Sequence, residues 1–444
     1  MLKGVINSMS AIVIILLFIA IFAVLACFLR VPVGFSMGAT ALIMYIVIGL
    51  KYAHYSQAMY TTLDSFAYLA IPFFVLAGSI MQYSGISESL VLLIDAIIGR
   101  LKASLGAVTI VASAAFGLLT GSNMATMATI GGMLIPEMTK KGYKRSYSGA
   151  LVSACSYLGT FIPPSVPGIM YALCSGCKVS EVWLSTVLPG VLFTVSYLIY
   201  NRISQKNTEP MVSESFKFSN YSINIGKQFI YSFGALLMPI IIFGGIYGGI
   251  FTATEAGAVS VAYGIIYYII KAISRHRNGA KMDRGLYPIF RDSMFTTSMV
   301  CCLLCFARAA GYVFTLSGVA DSLAKFIVSN FKSKWSFLLI LNIIFLIQGT
   351  FIDLNSGILI MTPLLLPSVQ AMGINPIHFG AIMLCNLNIG SITPPLAGSL
   401  YFGAKIAEAD TIETIKEAVP FMVIGFICVL IVTYIPALSL LLIK

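Results

Sequence analysis

"GTFIPPSVPG" (residues 159–168) and "GSITPPLAGS" (residues 390–399) decide the reading of this chain. Each breaks a long uncharged stretch with a proline pair, and each pair follows a glycine four residues upstream. Proline withholds a backbone N–H and crowds the preceding turn, so a helix that reaches either pair ends there. One such site is a broken helix; two in register are a pattern. Aligning residue 136 with 367 and walking forward without a gap gives identities at Pro136/Pro367, Gly142/Gly373, Gly149/Gly380 and Ala150/Ala381. They continue at Gly159/Gly390, Pro163/Pro394 and Pro164/Pro395, seven matches over the 29 positions from 136 to 164. Average residue usage gives roughly two. Six of the seven are Gly or Pro, the residues that fix backbone geometry.

The repeat extends upstream, where "AGSIMQYSGISESL" (77–90) matches "AGYVFTLSGVADSL" (310–323). The chain therefore reads as two copies of one design, residues 1–200 and 229–444, joined by the polar segment 201–228. Its class follows from composition. Apolar residues are 59% and charged residues 10% of 444, with a mean hydropathy of +0.95, where a soluble domain carries roughly 25% charged residues. Uncharged runs such as Gly4–Leu29, Phe229–Thr254, Leu354–Ala404 and Ala418–Ile443 exceed the roughly 20 residues that cross a bilayer. The first run is too long for a signal-peptide core and lacks a small-residue cleavage site, so it reads as the first span. The expected fold is an all-α polytopic membrane protein.

Net charge is +11, and it clusters in loops, as the bias that keeps Lys and Arg on the cytoplasmic side requires. No aromatic-and-basic nucleic-acid motif accompanies it. The nine cysteines lie mostly in apolar stretches, and Cys174 with Cys177 has no second pair, so they read as packing residues. Three histidines, none near another, offer no metal cluster or catalytic base, so no enzyme is expected. Glu137 and Glu255 read as interfacial, Arg30 as a loop residue, and His378 as without a role.

Charge also relates the two copies. "TKKGYKR" (139–145) places four basic residues in a connection whose counterpart, "QAMGINP" (370–376), carries none. One turn is then cytoplasmic and its twin is not, the signature of inverted repeats. Lys332 and Lys334 would lie outside, where Trp335 marks an interface to which they can snorkel. Spans are expected near 9–29, 33–50, 66–83, 146–174 (broken), 182–200, 230–249, 255–270, 288–309, 378–404 (broken) and 419–441. With about ten crossings, an even number, and the basic loop 271–285 inside, both termini face the periplasm. Two segments, 103–140 and 336–370, are too long and too interrupted for one crossing, and read as re-entrant hairpins. Non-helical backbone at that depth is tolerated only inside protein or beside a water-filled cavity.

The hairpin tips carry the chemistry. "GLLTGSNMATMATIGG" (117–132) gathers Thr120, Ser122, Asn123 and Thr126; "GTFIDLNSG" (349–357) gathers Asp353, Asn355 and Ser356. Small residues in membrane helices often serve only close packing, but two polar tips beside two matched breaks argue for more. Freed carbonyls and hydroxyls suit sodium, and helix N-termini suit a carboxylate.

These motifs, with "TGSNMATMATIGGMLIPEMTKKGY", "GIFTATEAGAVSVAYG" and "TPLLLPSVQAMGINPIHFGAIMLCNLNIGSITPPLAGSLYFGA", resemble the large membrane subunit of tripartite ATP-independent periplasmic (TRAP) transporters across nearly the whole chain. The resemblance implies an elevator-type, sodium-driven importer of small organic acids, of C4-dicarboxylate or sialic-acid type, in a bacterial inner membrane. It implies two partners, a small four-helix membrane subunit and a periplasmic substrate-binding protein; with no N-terminal extension here, the small subunit is expected as a separate chain. No cofactor is implied beyond sodium as coupling ion. Carried over by motif, one sodium site falls on Gly117, Thr120, Gly159, Ile162 and Pro163, and the other on Gly349, Gly390, Thr393 and Leu396. The tips depart from the commonest family wording at Thr120, Asn123, Leu354 and Asn355, which leaves the solute open. Ser122, Asn123, Ser165, Asp353 and Asn355 are the substrate-facing candidates. A stand-alone sodium/dicarboxylate symporter or ion antiporter of similar hairpin architecture is the alternative.

Overall fold

The computed structural model describes residues 11–98, 103–206, 218–277, 282, 284–331, 333–394 and 397–443. Helices carry the fold, and no strand occurs among the described residues. Seven helices there are long and apolar enough to cross a membrane, and five shorter apolar ones accompany them.

The helices pack as two bodies. In the first, Leu286–Leu316 lies against Val33–Ile48, Tyr52–Leu63 and the helix ending at Tyr83, while Ala253–Arg277 packs on Ala70–Tyr83 and Phe218–Tyr247. The second body is built around the two broken helices. Arg145–Ser156 is buried from Ser146 to Ser156, and Pro376–Gly390 from His378 to Gly390. A helix buried on every face belongs at the centre of a body, and Ser104–Thr120, Val179–Ser204, Lys334–Phe351 and Thr411–Tyr434 surround these two. Ile86–Ile98 and Val319–Asn330 sit between the bodies, touching both.

Both broken helices stop at the prolines. The first runs Arg145–Ser156 and Leu158–Phe161, then restarts as Val166–Ser175. The second runs Pro376–Gly390 and restarts as Gly398–Ile406. Each hairpin breaks at its polar tip: Ser104–Thr120 turns through Gly121 and Ser122 into the arm that ends at Lys140, and Lys334–Phe351 turns through Ile352 and Asp353 into Leu354–Ala371.

Several elements differ from the sequence expectation. Tyr52–Leu63, Ile86–Ile98 and Val319–Asn330 are helices outside the expected spans. The polar segment 201–228 is helical at both ends, because Val179–Ser204 runs into it and Phe218–Tyr247 begins inside it; residues 207–217 lie outside the described set. His378 is buried and tied to the chain's end: its Nε2–H donates to the Thr433 carbonyl (3.3 Å), and its Nδ1 lies 2.6 Å from Ser439 Oγ. The described cysteines outside Cys27 are free thiols.

Candidate functional site

The break in the first broken helix is held from behind by helix Val179–Ser204. Trp183 Nε1–H donates to the Ser165 carbonyl (3.0 Å) and Thr186 Oγ1–H to the Phe161 carbonyl (2.7 Å). Phe193 packs on Phe161 with ring centroids 5.1 Å apart. These residues recur at steps of three and seven, so one helical face braces both ends of the break. The carbonyls that lose their helical donor to Pro163 and Pro164 are those of Gly159 and Thr160. In the second broken helix the equivalent loss falls on Gly390 and Ser391, although the Thr393 N–H donates to the Gly390 carbonyl in a tighter turn (2.9 Å).

Each break abuts a hairpin through a glycine pair. A Cβ on Gly117 would lie 1.8 Å from the Gly159 Cα, and one on Gly390 would lie 2.5 Å from the Gly349 Cα. The two contacts are repeat equivalents, since the members differ by 232 and 231 positions (349 − 117 and 390 − 159). Gly121 turns the first tip in left-handed backbone (φ 57°), and a Cβ there would stand 3.1 Å from the Pro164 carbonyl oxygen, so the tip rests on the break.

Between the tips and the first body lies a cavity of about 590 Å³. Thr120, Ser122 and Asn123 line it from one hairpin, and Gly349, Asp353 and Asn355 from the other. Thr160 and Ser391 bring in both breaks; Gln82, Arg284 and Asp292 close it from the first body. The two tips are capped differently. Ser122 Oγ accepts from the Ala125 N–H (3.4 Å), a neutral cap. Asp353 caps Leu354–Ala371 with a carboxylate that accepts from the N–H groups of Asn355 (3.1 Å) and Ser356 (3.2 Å) and from the Ser356 hydroxyl. An ionised cap offsets the positive end of its helix, so the first tip is the one left receptive to an anion.

The predicted residues fall as follows. Gly117, Thr120, Gly159, Ile162 and Pro163 cluster at the first tip and first break, and Gly349, Gly390 and Thr393 at the second; Leu396 lies outside the described residues. Ser122, Asn123, Asp353 and Asn355 line the cavity. Ser165 does not: it is 1% exposed, and its Oγ caps Val166–Ser175 by accepting from the Gly168 N–H (3.2 Å). The Ser-Val-Pro spacing after the proline pair, an N-cap followed by proline in the first turn, carried that signal.

Sequence reading missed Asn388. It is fully buried; its Oδ1 accepts from Asn123 Nδ2 (3.2 Å), and its Nδ2 donates to Thr160 Oγ1 (3.0 Å). One side chain thus bridges the first tip, the first break and the second broken helix. At the cavity mouth Arg284 pairs with Asp292 and donates to the Tyr83 hydroxyl (3.0 Å). That hydrogen bond first, and the Asp292 charge with it, hold the guanidinium protonated above its ordinary range. Among the described residues no cluster of metal-binding side chains occurs. The Asp353 carboxylate is engaged as a helix cap and that of Asp292 by Arg284; the other oxygens on offer are hydroxyls, amides and released carbonyls, the hard uncharged donors that suit a weakly held monovalent cation.

The family model "Tripartite ATP-independent periplasmic transporter, DctM component" matches residues 18–438. "Uncharacterized protein YgiK" of Salmonella typhimurium is 37% identical, with 93% of each chain covered. The C4-dicarboxylate TRAP transporter large permease DctM of Pseudomonas aeruginosa is 32% identical over 86% of this chain and 87% of that protein. The sialic acid TRAP transporter large permease SiaM of Vibrio cholerae is 30% identical over 94% and 95%. In fold, the YdaH transporter of Alcanivorax borkumensis aligns with a TM-score of 0.54 over 83% of this chain and 86% of that one, at 13% identity. The chain belongs to the DctM family: it is a multi-pass membrane permease of the tripartite ATP-independent periplasmic transporters, and not an enzyme.

Proposed function

We propose that this chain is the translocating subunit of a sodium-coupled importer for a small organic anion in a bacterial inner membrane, with both termini periplasmic. The observation that supports it best is the convergence of two polar hairpin tips and two proline breaks on one cavity, each tip joined to a break by a glycine pair. Sodium binds at the first pair, with Gly117, Thr120, Gly159, Ile162 and Pro163, and at the second, with Gly349, Gly390 and Thr393; Leu396 joins the second set by motif alone. The ions pull each hairpin against its broken helix, and the closed tips then present Ser122, Asn123 and Asn355 to the solute. Asp353 stays on its helix cap, which leaves the neutral first tip to meet the carboxylate.

Three relatives are named for a C4-dicarboxylate, a sialic acid and, at 32% identity over 92% of this chain and 63% of that protein, isethionate. Their common feature is an anionic head on a small polar body, and that is the solute class proposed here. A periplasmic binding protein delivers it, and a small membrane subunit, a separate chain, completes the assembly. The second body moves as an elevator against the first.

The test is uptake in proteoliposomes holding this chain with its small subunit. Accumulation of a labelled organic acid should require both an inward sodium gradient and the loaded binding protein. Uptake by this chain alone, without sodium or binding protein, would overturn the reading and favour a stand-alone carrier.

A further inference from the structure

A second cavity, of about 320 Å³, takes no part in the site above. It also lies between the two bodies: Tyr68 and helix Leu286–Leu316 wall it on one side, Cys174, Leu359 and Pro363 on the other. Arg308 lines it as an exposed side chain, eight residues before the end of a 31-residue helix that is apolar enough to span a membrane. Among the described residues no carboxylate pairs with Arg308, and its guanidinium lies over the Tyr312 ring, 5.5 Å from the centroid.

The two cavities share a rail. On helix Leu286–Leu316, Ile289, Asp292, Thr296 and Val300 line the first cavity. Leu304, Arg308, Gly311 and Thr315 line the second. Steps of three and four residues keep all of these on one helical face. Asp292 and Arg308 are 16 positions apart (308 − 292), about 24 Å along the axis at 1.5 Å per residue. The start of the second hairpin's return arm touches both cavities: Leu354 lines the first, Leu359 the second, and Ile358, between them in sequence, is fully buried.

An unpaired arginine inside a membrane-spanning helix is costly and marks a functional path by default. Its planar fork suits a carboxylate or sulfonate held by two hydrogen bonds, and Tyr68, Tyr312 and Thr315 add hydroxyl-bearing side chains to the same wall. Lys271, Arg275, Arg277, Arg284 and Arg291 cluster at the first cavity's end of the rail, which marks that end as cytoplasmic. The second cavity then opens toward the opposite side, where an imported solute arrives.

We propose that the second cavity is an entry station in which Arg308 binds the anionic head of the organic solute before the second hairpin carries it past Ile358. Anion binding here follows from the cavity itself; its place on the import path rests on the transport reading above.

Two measurements on the full chain with its small subunit separate these layers. In a Thr315→Cys variant, peptide mass spectrometry reads labelling at position 315 by an anionic and a cationic methanethiosulfonate of similar size. The anionic reagent should be favoured, and Arg308→Gln should cut the anionic-to-cationic rate ratio at least tenfold, with Arg308→Lys restoring most of it. In uptake assays Arg308→Gln should raise the apparent KM for the binding-protein-delivered acid at least tenfold. A ratio that Arg308→Gln leaves unchanged overturns the anion site. A ratio that falls while KM stays put overturns its place on the path. Wild-type protein that takes up no organic acid overturns the transport reading, while the labelling ratio still judges Arg308; the Arg308→Lys protein supplies a folded comparison should the Gln variant misfold.

Discussion

Gly117 and Gly159 touch through their backbones: a Cβ on Gly159 would lie 2.1 Å from the Gly117 Cα, well inside van der Waals contact. The hairpin and the broken helix meet there with no side chain between them, which keeps the backbone of the break against the hairpin. Gly117→Ala or Gly159→Ala must push the two apart. Overpacking of this kind costs about 1–3 kcal/mol or more. Thermal unfolding in detergent should show a lower Tm, and sodium-driven uptake should be lost. Gly349→Ala is expected to be milder, because its Cβ would meet the Gly390 Cα at 2.9 Å.

Asn388 is predicted to be a coupling residue. Asn388→Leu keeps the branched shape, at a larger volume, but leaves Asn123 Nδ2 and Thr160 Oγ1 without their shared partner. Orphaning a buried polar group costs about 1–3 kcal/mol, which should appear as a lower denaturation midpoint. In a double-mutant cycle, Asn123→Ala should cost less in the Asn388→Leu background than alone, with a coupling of about 0.5–3 kcal/mol. Additive effects would show that the two side chains do not communicate.

Legibility of the sequence divides along physical lines. The breaks at Pro163 and Pro394 and both tips were readable because Gly and Pro act through local backbone rules, independent of what packs nearby. Ile86–Ile98 and Val319–Asn330 were not read as helices, because each is 12 or 13 residues long with charges on one side; their placement comes from contacts with both bodies, which no hydropathy window contains. Asn388 escaped for a related reason. A lone Asn in an apolar run is ambiguous until Asn123, 265 positions away, and Thr160, 228 positions away, are brought to it. The local spacing of Ser165, ahead of Val166 and Pro167, describes a cap, and its Oγ serves as one.

Asp353 tests whether a carboxylate at a tip is a cap or a ligand. Its oxygens already accept from two backbone N–H groups and a hydroxyl. Asp353→Asn retains an acceptor oxygen and should stay near wild type in Tm, whereas Asp353→Ala should lose about 0.5–2 kcal/mol of cap. Uptake should follow the same order, Asn above Ala. If Asn abolished uptake while Tm held, the charge itself would be required.

The exposed pair Arg145–Glu408, at 2.7 Å, joins the start of the first broken helix to the segment just past the second. Both side chains are more than half exposed. Screening by water and the entropy of fixing two long side chains leave such pairs with about 0–1 kcal/mol. Glu408→Gln should therefore leave Tm and uptake within error of wild type, at low and at high salt.

Pro163 offers the sharpest test of how the first break works. The proline denies the Gly159 carbonyl its helical donor, which leaves that oxygen free for sodium. Pro163→Ala returns an N–H at the position four residues downstream, so the oxygen can be satisfied without an ion. The variant should then be at least as stable as wild type in sodium-free buffer. Wild type, in contrast, should gain stability as sodium is added, about 2.7 kcal/mol at one hundred times Kd if only the native state binds. In Pro163→Ala that sodium-dependent rise in Tm should shrink by the share of the first site. The same titration on Pro394→Ala reads the second site, where the Thr393 N–H already holds the Gly390 carbonyl (2.9 Å), so the change there should be smaller. Equal sodium responses in wild type and Pro163→Ala would remove the Gly159 carbonyl from the ion site and leave the break as a packing device.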